Sequence, residues 1–119
     1  MTVRELLRRC ATDDEHFQLH VNEFLDAFRG AAPAARTTMV AEGPVRSGRL
    51  EGLVAAIVSA LCHEAGGDAP SWVRAVHSPE PFFVFPARGF ALRVRLMLES
   101  PAPFRTRNVF VPENYLTRA

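Results

Sequence analysis

FALRVRLMLE (Phe90–Glu99) supports two readings, and the fold class turns on which of them holds. Phe90, Leu92, Val94, Leu96 and Leu98 alternate with Ala91, Arg93, Arg95, Met97 and Glu99, the period of two that marks a half-buried strand. The same residues are mostly good helix formers, Arg95 and Glu99 stand four apart, and Pro101 is a natural stop. Periodicity points to a strand and composition to a helix. On the strand reading, FFVF at 82–85 and the Pro86-Ala-Arg-Gly89 turn complete a hairpin, and NVFV at 108–111 is a further strand candidate.

Upstream of this stretch the pattern is helical. Thr2 and Glu5 form a capping box ahead of Leu6 and Leu7, predicting a first helix to about Cys10. Thr12 and Glu15 repeat the box. Phe17, Val21, Phe24, Leu25 and Phe28 then share one helical face, with Gly30 placed to end it and AAPAAR breaking the pattern. Residues 37–47 read as a loop or short extended piece, with Ser47 as the cap of the next helix. That helix carries Leu50, Leu53, Val54, Ile57, Val58, Leu61 and Cys62, a face wide enough to make it central; Gly66-Gly67 ends it. Pro70 to Val76 reads as a further short helix, stopped by HSPEP.

The totals restrict the class. A chain of 119 residues, 48% hydrophobic and with nine phenylalanines, suits a single domain with its own core. The longest apolar run, LVAAIVSALC, is about half of a membrane span, and the N-terminus turns charged too early for a signal peptide, so a cytoplasmic location is expected. Cys10 and Cys62, the only cysteines, lack CxxC spacing and read as two reduced, packed thiols. All fourteen basic residues are arginine. Without lysine there is no Schiff base, no Walker-type phosphate loop and no lysine base. Five arginines against Glu99 alone make residues 88–107 a moderately basic segment.

Three short motifs, Ala69-Pro70-Ser71-Trp72, Pro81-Phe82-Phe83 and ESPAPFRTRNVFV (Glu99 to Val111), carry a resemblance. The last fifty residues and the alanine-rich helix before them resemble a loosely defined family of small, uncharacterised actinobacterial proteins. Their pattern is P-x-W, then P-W/F-F, then L-R, then S-P-x-x-F-R-x-R-N-x-F-V. The L-R segment of that family is alanine-rich and helical in character, which implies a helix at 90–99. Some longer members resemble regulators with a helix-turn-helix domain ahead of this module. The resemblance therefore implies a sensing, dimerising or regulatory unit, and no catalytic motif comes with it.

Candidate chemistry is sparse. His16 and His20 stand i,i+4 with Glu23 a turn on, but no further ligand is identifiable, and no metal or cofactor is expected. Cys62 and His63 are adjacent on a helix and point about 100° apart, which keeps them from acting as nucleophile and base. Asp13, Asp14 and Glu15 complement a helix dipole. Trp72 is a core plug or an interface anchor. If residues 104–110 run extended, Phe104, Thr106, Asn108 and Phe110 face one way and Arg105, Arg107 and Val109 the other; the guanidinium groups then either bind a partner's carboxylate or phosphate, or pair with Glu99 and the domain's own acids.

The expected fold is mainly α, a helical domain with a partly extended C-terminal segment, the alternative being α+β with a small antiparallel C-terminal sheet. The expected function is non-enzymatic: an interaction or regulatory module acting on a protein partner or by self-association. Arg93, Arg95, Phe104, Arg105, Arg107 and Trp72 are its candidate contacts. Nucleic-acid binding through the C-terminal arginines is the alternative, and a small-molecule or metal-binding protein the third. A toxin–antitoxin or transcription-linked role rests on the resemblance alone.

Overall fold

A computed structural model describes residues 1–85 and 87–118. The chain is mainly helical, and Phe90–Glu99 is a helix. Helix α1 (Val3–Thr12) is capped as its sequence predicts, the Thr2 hydroxyl accepting the Glu5 N–H at 3.2 Å. The second capping box does not form. Thr12 donates its hydroxyl back to the carbonyls of Arg8 and Arg9, a 3₁₀ turn (Asp14–His16) follows, and α2 (Phe17–Gly30) starts without a side-chain cap. The Asp13 carboxylate that would cap a helix is taken by two histidines instead.

Residues expected to be a break and a loop form α3 (Pro33–Val40). Pro33 sits in its first turn, where a missing N–H costs nothing. Arg36 fixes α3 against the end of α2: Nε donates to the Phe28 carbonyl at 2.8 Å, which also accepts the Ala31 N–H, and Nη2 to the Arg29 carbonyl at 2.7 Å, in the last turn where carbonyls lack helical partners. The next helix, α4 (Arg49–Glu64), is preceded by Gly48 rather than capped by Ser47. Ser47 serves the loop across from it, donating to the Ala75 carbonyl and accepting the His77 N–H.

Helix α4 is the centre of the molecule. Gly52 through Val58, with Leu61 and Cys62, are buried without a break, so nearly its whole circumference is covered. Gly66, at φ 79°, ends it: the N–H groups of Gly66 and Gly67 return to the carbonyls of His63 and Cys62, both at 3.0 Å. A 3₁₀ turn (Ser71–Arg74) covers one side of α4.

The only sheet among the described residues is a pair of two-residue strands, β1 (Phe82–Phe83) and β2 (Val109–Phe110), paired in parallel with Phe82 opposite Val109. Both segments were strand candidates, but they do not form a hairpin; Pro86, at the head of the expected turn, lies outside the described residues. The chain crosses between them through α5 (Phe90–Glu99) and the single turn of α6 (Ala102–Arg105), and a crossover of that kind returns a strand parallel, not antiparallel. The main core draws on both ends of the chain, from Val3, Leu6 and Cys10 to Phe104, Val111 and Tyr115. The radius of gyration is 13.6 Å, close to the roughly 13.5 Å of a globular chain of this length. No helix of the described residues is long and apolar enough to cross a membrane.

Candidate interaction surface

Helix α5 begins after Gly89, whose φ of 88° is open to glycine at little cost. It is held to the domain on one narrow side. Leu96 is its only buried apolar side chain and packs with Ala87, Phe110 and Phe83. Arg93 lies over the Phe83 ring, 5.5 Å from its centre, and donates Nε to the Ala87 carbonyl at 3.0 Å. Ser100, just past the helix and 2% exposed, donates to the carbonyls of Leu96 and Val111 and accepts the Val111 N–H at 2.8 Å.

The opposite side of α5 is largely exposed, with Val94 half-buried at its centre, and Leu92, beside Leu96, is 44% exposed as well. At 100° per residue, Phe90, Ala91, Val94, Met97 and Leu98 fall within about 120° of one another, centred on Val94 and turned away from Leu96. Phe90 is 83% exposed, Leu98 74% and Met97 43%. Single exposed apolar residues are ordinary, but a stripe continuous along a helix is the mark of a docking face.

No protein-family model, curated protein or solved structure matches the chain.

Half of the candidate contacts named from sequence, Trp72, Phe104 and Arg107, are buried or half-buried. Phe104 is fully buried and packs edge-on against Tyr115, with ring centres 5.7 Å apart, so it is a core residue and not a contact. The segment around it is not extended: α6 and a turn through Asn108 (φ 63°) replace the expected two-faced tail. That turn sends Arg107 back into the domain, where Nε donates to the Val73 carbonyl at 3.0 Å and Nη1 to the Pro103 carbonyl at 2.8 Å. Burial lowers its pKa. Trp72 is half-buried against Gly43 and donates its indole N–H to the Val40 carbonyl at 2.8 Å. Arg93 is committed as described, and Arg95 pairs with Glu99 at 3.4 Å. Of the six, Arg93, Arg95 and Arg105 are exposed.

The tail beyond β2 is packed by its polar groups. Tyr115 donates its hydroxyl to Gln18 Oε1 at 2.6 Å, Arg118 makes a two-bond contact with Asp26, and Arg29 ties Glu64 (3.0 Å twice) to the Leu116 carbonyl (2.7 Å). Sequence reasoning missed Phe90, Ala91, Val94, Met97 and Leu98 as a surface. Their signal was the helical spacing i, i+1, i+4, i+7, i+8, hidden by the alternation that reads as a strand.

A hollow of about 330 Å³ lies between α3 and the end of α4, lined by Phe28, Val40, Cys62 and Pro70 among others. The Arg36 beside it already spends two nitrogens on α2 and stacks over Phe28. Burial, helped by Asp14 and Asp13, pushes the Cys10 thiol up to about 11, and burial raises that of Cys62, so neither is a thiolate near neutral pH. His16 Nδ1 and His20 Nε2 each donate to one oxygen of Asp13, at 2.9 and 3.0 Å. With Nε2 as the protonated nitrogen, the buried Nδ1 of His20, which has no partner, is left as a bare lone pair rather than a stranded N–H.

That cluster makes stability pH-dependent. The hydrogen bond to Asp13 raises the His16 pKa above its ordinary 6.5, and the bonds from His16 and His20 lower that of Asp13 below 3.8. The His16 contribution is complete below 6.5 and fades as pH rises through the raised value; that of Asp13 is complete above 3.8 and fades as pH falls through the lowered one. Urea unfolding of Asp13→Asn beside the wild type, from pH 3 to 9, is expected to show the largest gap between about pH 4 and 6.5. A gap flat across that range would mean that the charges are not coupled.

Proposed function

We propose that this domain is a non-enzymatic interaction module that docks a protein surface on the outer face of α5. The observation that carries the reading is the exposed stripe of Phe90, Met97 and Leu98 on a helix whose one buried residue is Leu96. A helix that spends one buried residue on its own domain leaves the rest of its apolar surface for another chain. The regulatory form of the reading, toxin–antitoxin or transcription linked, rests on the resemblance to the small actinobacterial proteins, and a cytoplasmic location on the early-charged N-terminus and the short apolar runs.

Tagged protein, nuclease-treated and used for capture from its native host, is compared with the Phe90→Glu/Leu98→Glu double variant and with Arg105→Ala. Both replaced apolar residues are exposed, so the double variant is expected to keep the wild-type urea midpoint. It is expected to lose at least nine-tenths of the captured chain, self-copies included, while Arg105→Ala retains it. Equal capture by wild type and double variant would move the interface off α5.

A further inference from the structure

We infer that this domain binds a small phosphate monoester between α1 and the loop that leads into α4. The site shares no residue with the α5 face and stands apart from that reading. The hollow there has a volume of about 550 Å³, within the roughly 300–1,000 Å³ of small-molecule sites. Three arginines line it, Arg4 and Arg8 one turn apart on α1 and Arg46 from the loop. Among the described residues, the side chains of Arg8 and Arg46 pair with no acid and donate to no carbonyl, whereas Arg9, Arg29, Arg49 and Arg118 are each paired at 3.1 Å or less. Arg4 has a longer contact, 3.6 Å to Glu42, with both side chains more than half exposed.

The loop is held at both ends. The Trp72 ring lies so close to Gly43 that a Cβ there would run into it, and the indole N–H donates to the Val40 carbonyl at 2.8 Å. At the far end the Ser47 hydroxyl donates to the Ala75 carbonyl and accepts the His77 N–H. Pro44, Val45 and Arg46 therefore span two fixed points, and the proline ring restricts the first of them further. Little backbone freedom is left for a ligand to remove when it binds.

The lining selects the ligand. Guanidinium forks match the oxygens of carboxylates and phosphates. Three of them exceed what one carboxylate, with one charge and two oxygens, can satisfy; a phosphate monoester brings nearly two charges and three acceptor oxygens. Glu51 also lines the hollow, but its carboxylate lies against Gly48 in the first turn of α4, where the positive helix end favours it. Leu7, Pro44 and the 93% exposed Val45 give the organic part an apolar wall. With no aromatic side chain among the described lining residues to stack a base, that part is aliphatic.

An NMR titration of the isotope-labelled full chain with butyl phosphate at low salt tests the inference, with dibutyl phosphate and butyrate as singly charged comparisons. Butyl phosphate is expected to bind with a dissociation constant on the order of 1 mM and to shift the backbone amides of residues 4–11 and 43–48. Either comparison is expected to bind at least fivefold more weakly. Arg8→Ala/Arg46→Ala is expected to weaken butyl phosphate at least tenfold and to keep the wild-type urea midpoint, both side chains being exposed. Arg105→Ala, an exposed arginine elsewhere, is expected to change nothing, and Glu51→Gln to tighten binding. No amide shift at about twenty times that constant, or binding unchanged in the double variant, overturns the site. Dibutyl phosphate or butyrate binding as tightly as butyl phosphate overturns the monoester, the former pointing to a diester such as a nucleic-acid backbone.

Discussion

Replacing Phe104 with alanine is expected to cost about 3–5 kcal/mol of folding stability, the range for truncating a fully buried phenylalanine. Its ring is wholly inaccessible, stands edge-on to Tyr115, and reaches the core from a single-turn helix packed on α4 and β2. A one-turn helix cannot follow the shrinking side chain inward without breaking the Arg107 bonds to Val73 and Pro103, so the cavity stays open. Domains of this size hold about 5–15 kcal/mol in all, so the loss is a large share. Urea denaturation checks it, with Phe90→Ala as the matched control. That ring is 83% exposed, and its loss is expected to move stability by less than about 0.5 kcal/mol. Equal effects at the two positions would mean that Phe104 is not where the core is.

The second large effect is expected from adding one carbon. Gly52 lies on the buried α4, and a Cβ there would stand 2.5 Å from the backbone nitrogen of Ser78 and 2.8 Å from the carbonyl carbon of His77. That backbone cannot simply retreat: the same Ser78 N–H donates to the Arg107 carbonyl at 2.9 Å, and the Ser78 carbonyl accepts from Asn108. Alanine would gain up to about 1 kcal/mol of helix propensity over glycine, but forcing α4 away from residues 77–78 outweighs it. A net loss of about 1–3 kcal/mol is expected for Gly52→Ala. Gly30→Ala is the opposite case, since its Cβ would meet nothing within 4 Å and its helix keeps the propensity gain, up to about 1 kcal/mol. A Gly52→Ala variant as stable as Gly30→Ala would show that α4 and the 77–78 segment are not in contact.

The five-residue face on α5 shows how far the sequence can be read. Alternation of Phe90, Leu92, Val94, Leu96 and Leu98 is a true period of two, yet Ala91 and Met97 make the same segment apolar at helical spacing as well. Ten residues with apolar side chains at most positions satisfy both templates, and local preference cannot separate them. Contacts with the rest of the chain do: Leu96 lands on Phe110 and Ala87, and Ser100 closes onto Val111 eleven residues later. Phe104, Arg107 and Asn108 of the C-terminal motif turn inward for a related reason. They look like contact residues, but their partners are carbonyls and rings brought near by the fold, such as Val73, thirty-four residues from Arg107.

Local physics by itself determined the helical character of this protein. The stripe of Phe17, Val21, Phe24, Leu25 and Phe28, the wide apolar face of α4, its Gly66-Gly67 stop and the Thr2 cap each depend on neighbours within a turn or two, which the sequence states directly. Tertiary structure alone decided that 33–40 is helical, that FFVF and NVFV pair in parallel across a helical crossover, and that α5 keeps its apolar stripe outside. Each of those depends on groups far apart in sequence: Arg36 closing the end of α2, a strand whose partner lies twenty-seven residues on, and a main core built from α1, α2, α4 and the C-terminal segment without a residue of α5.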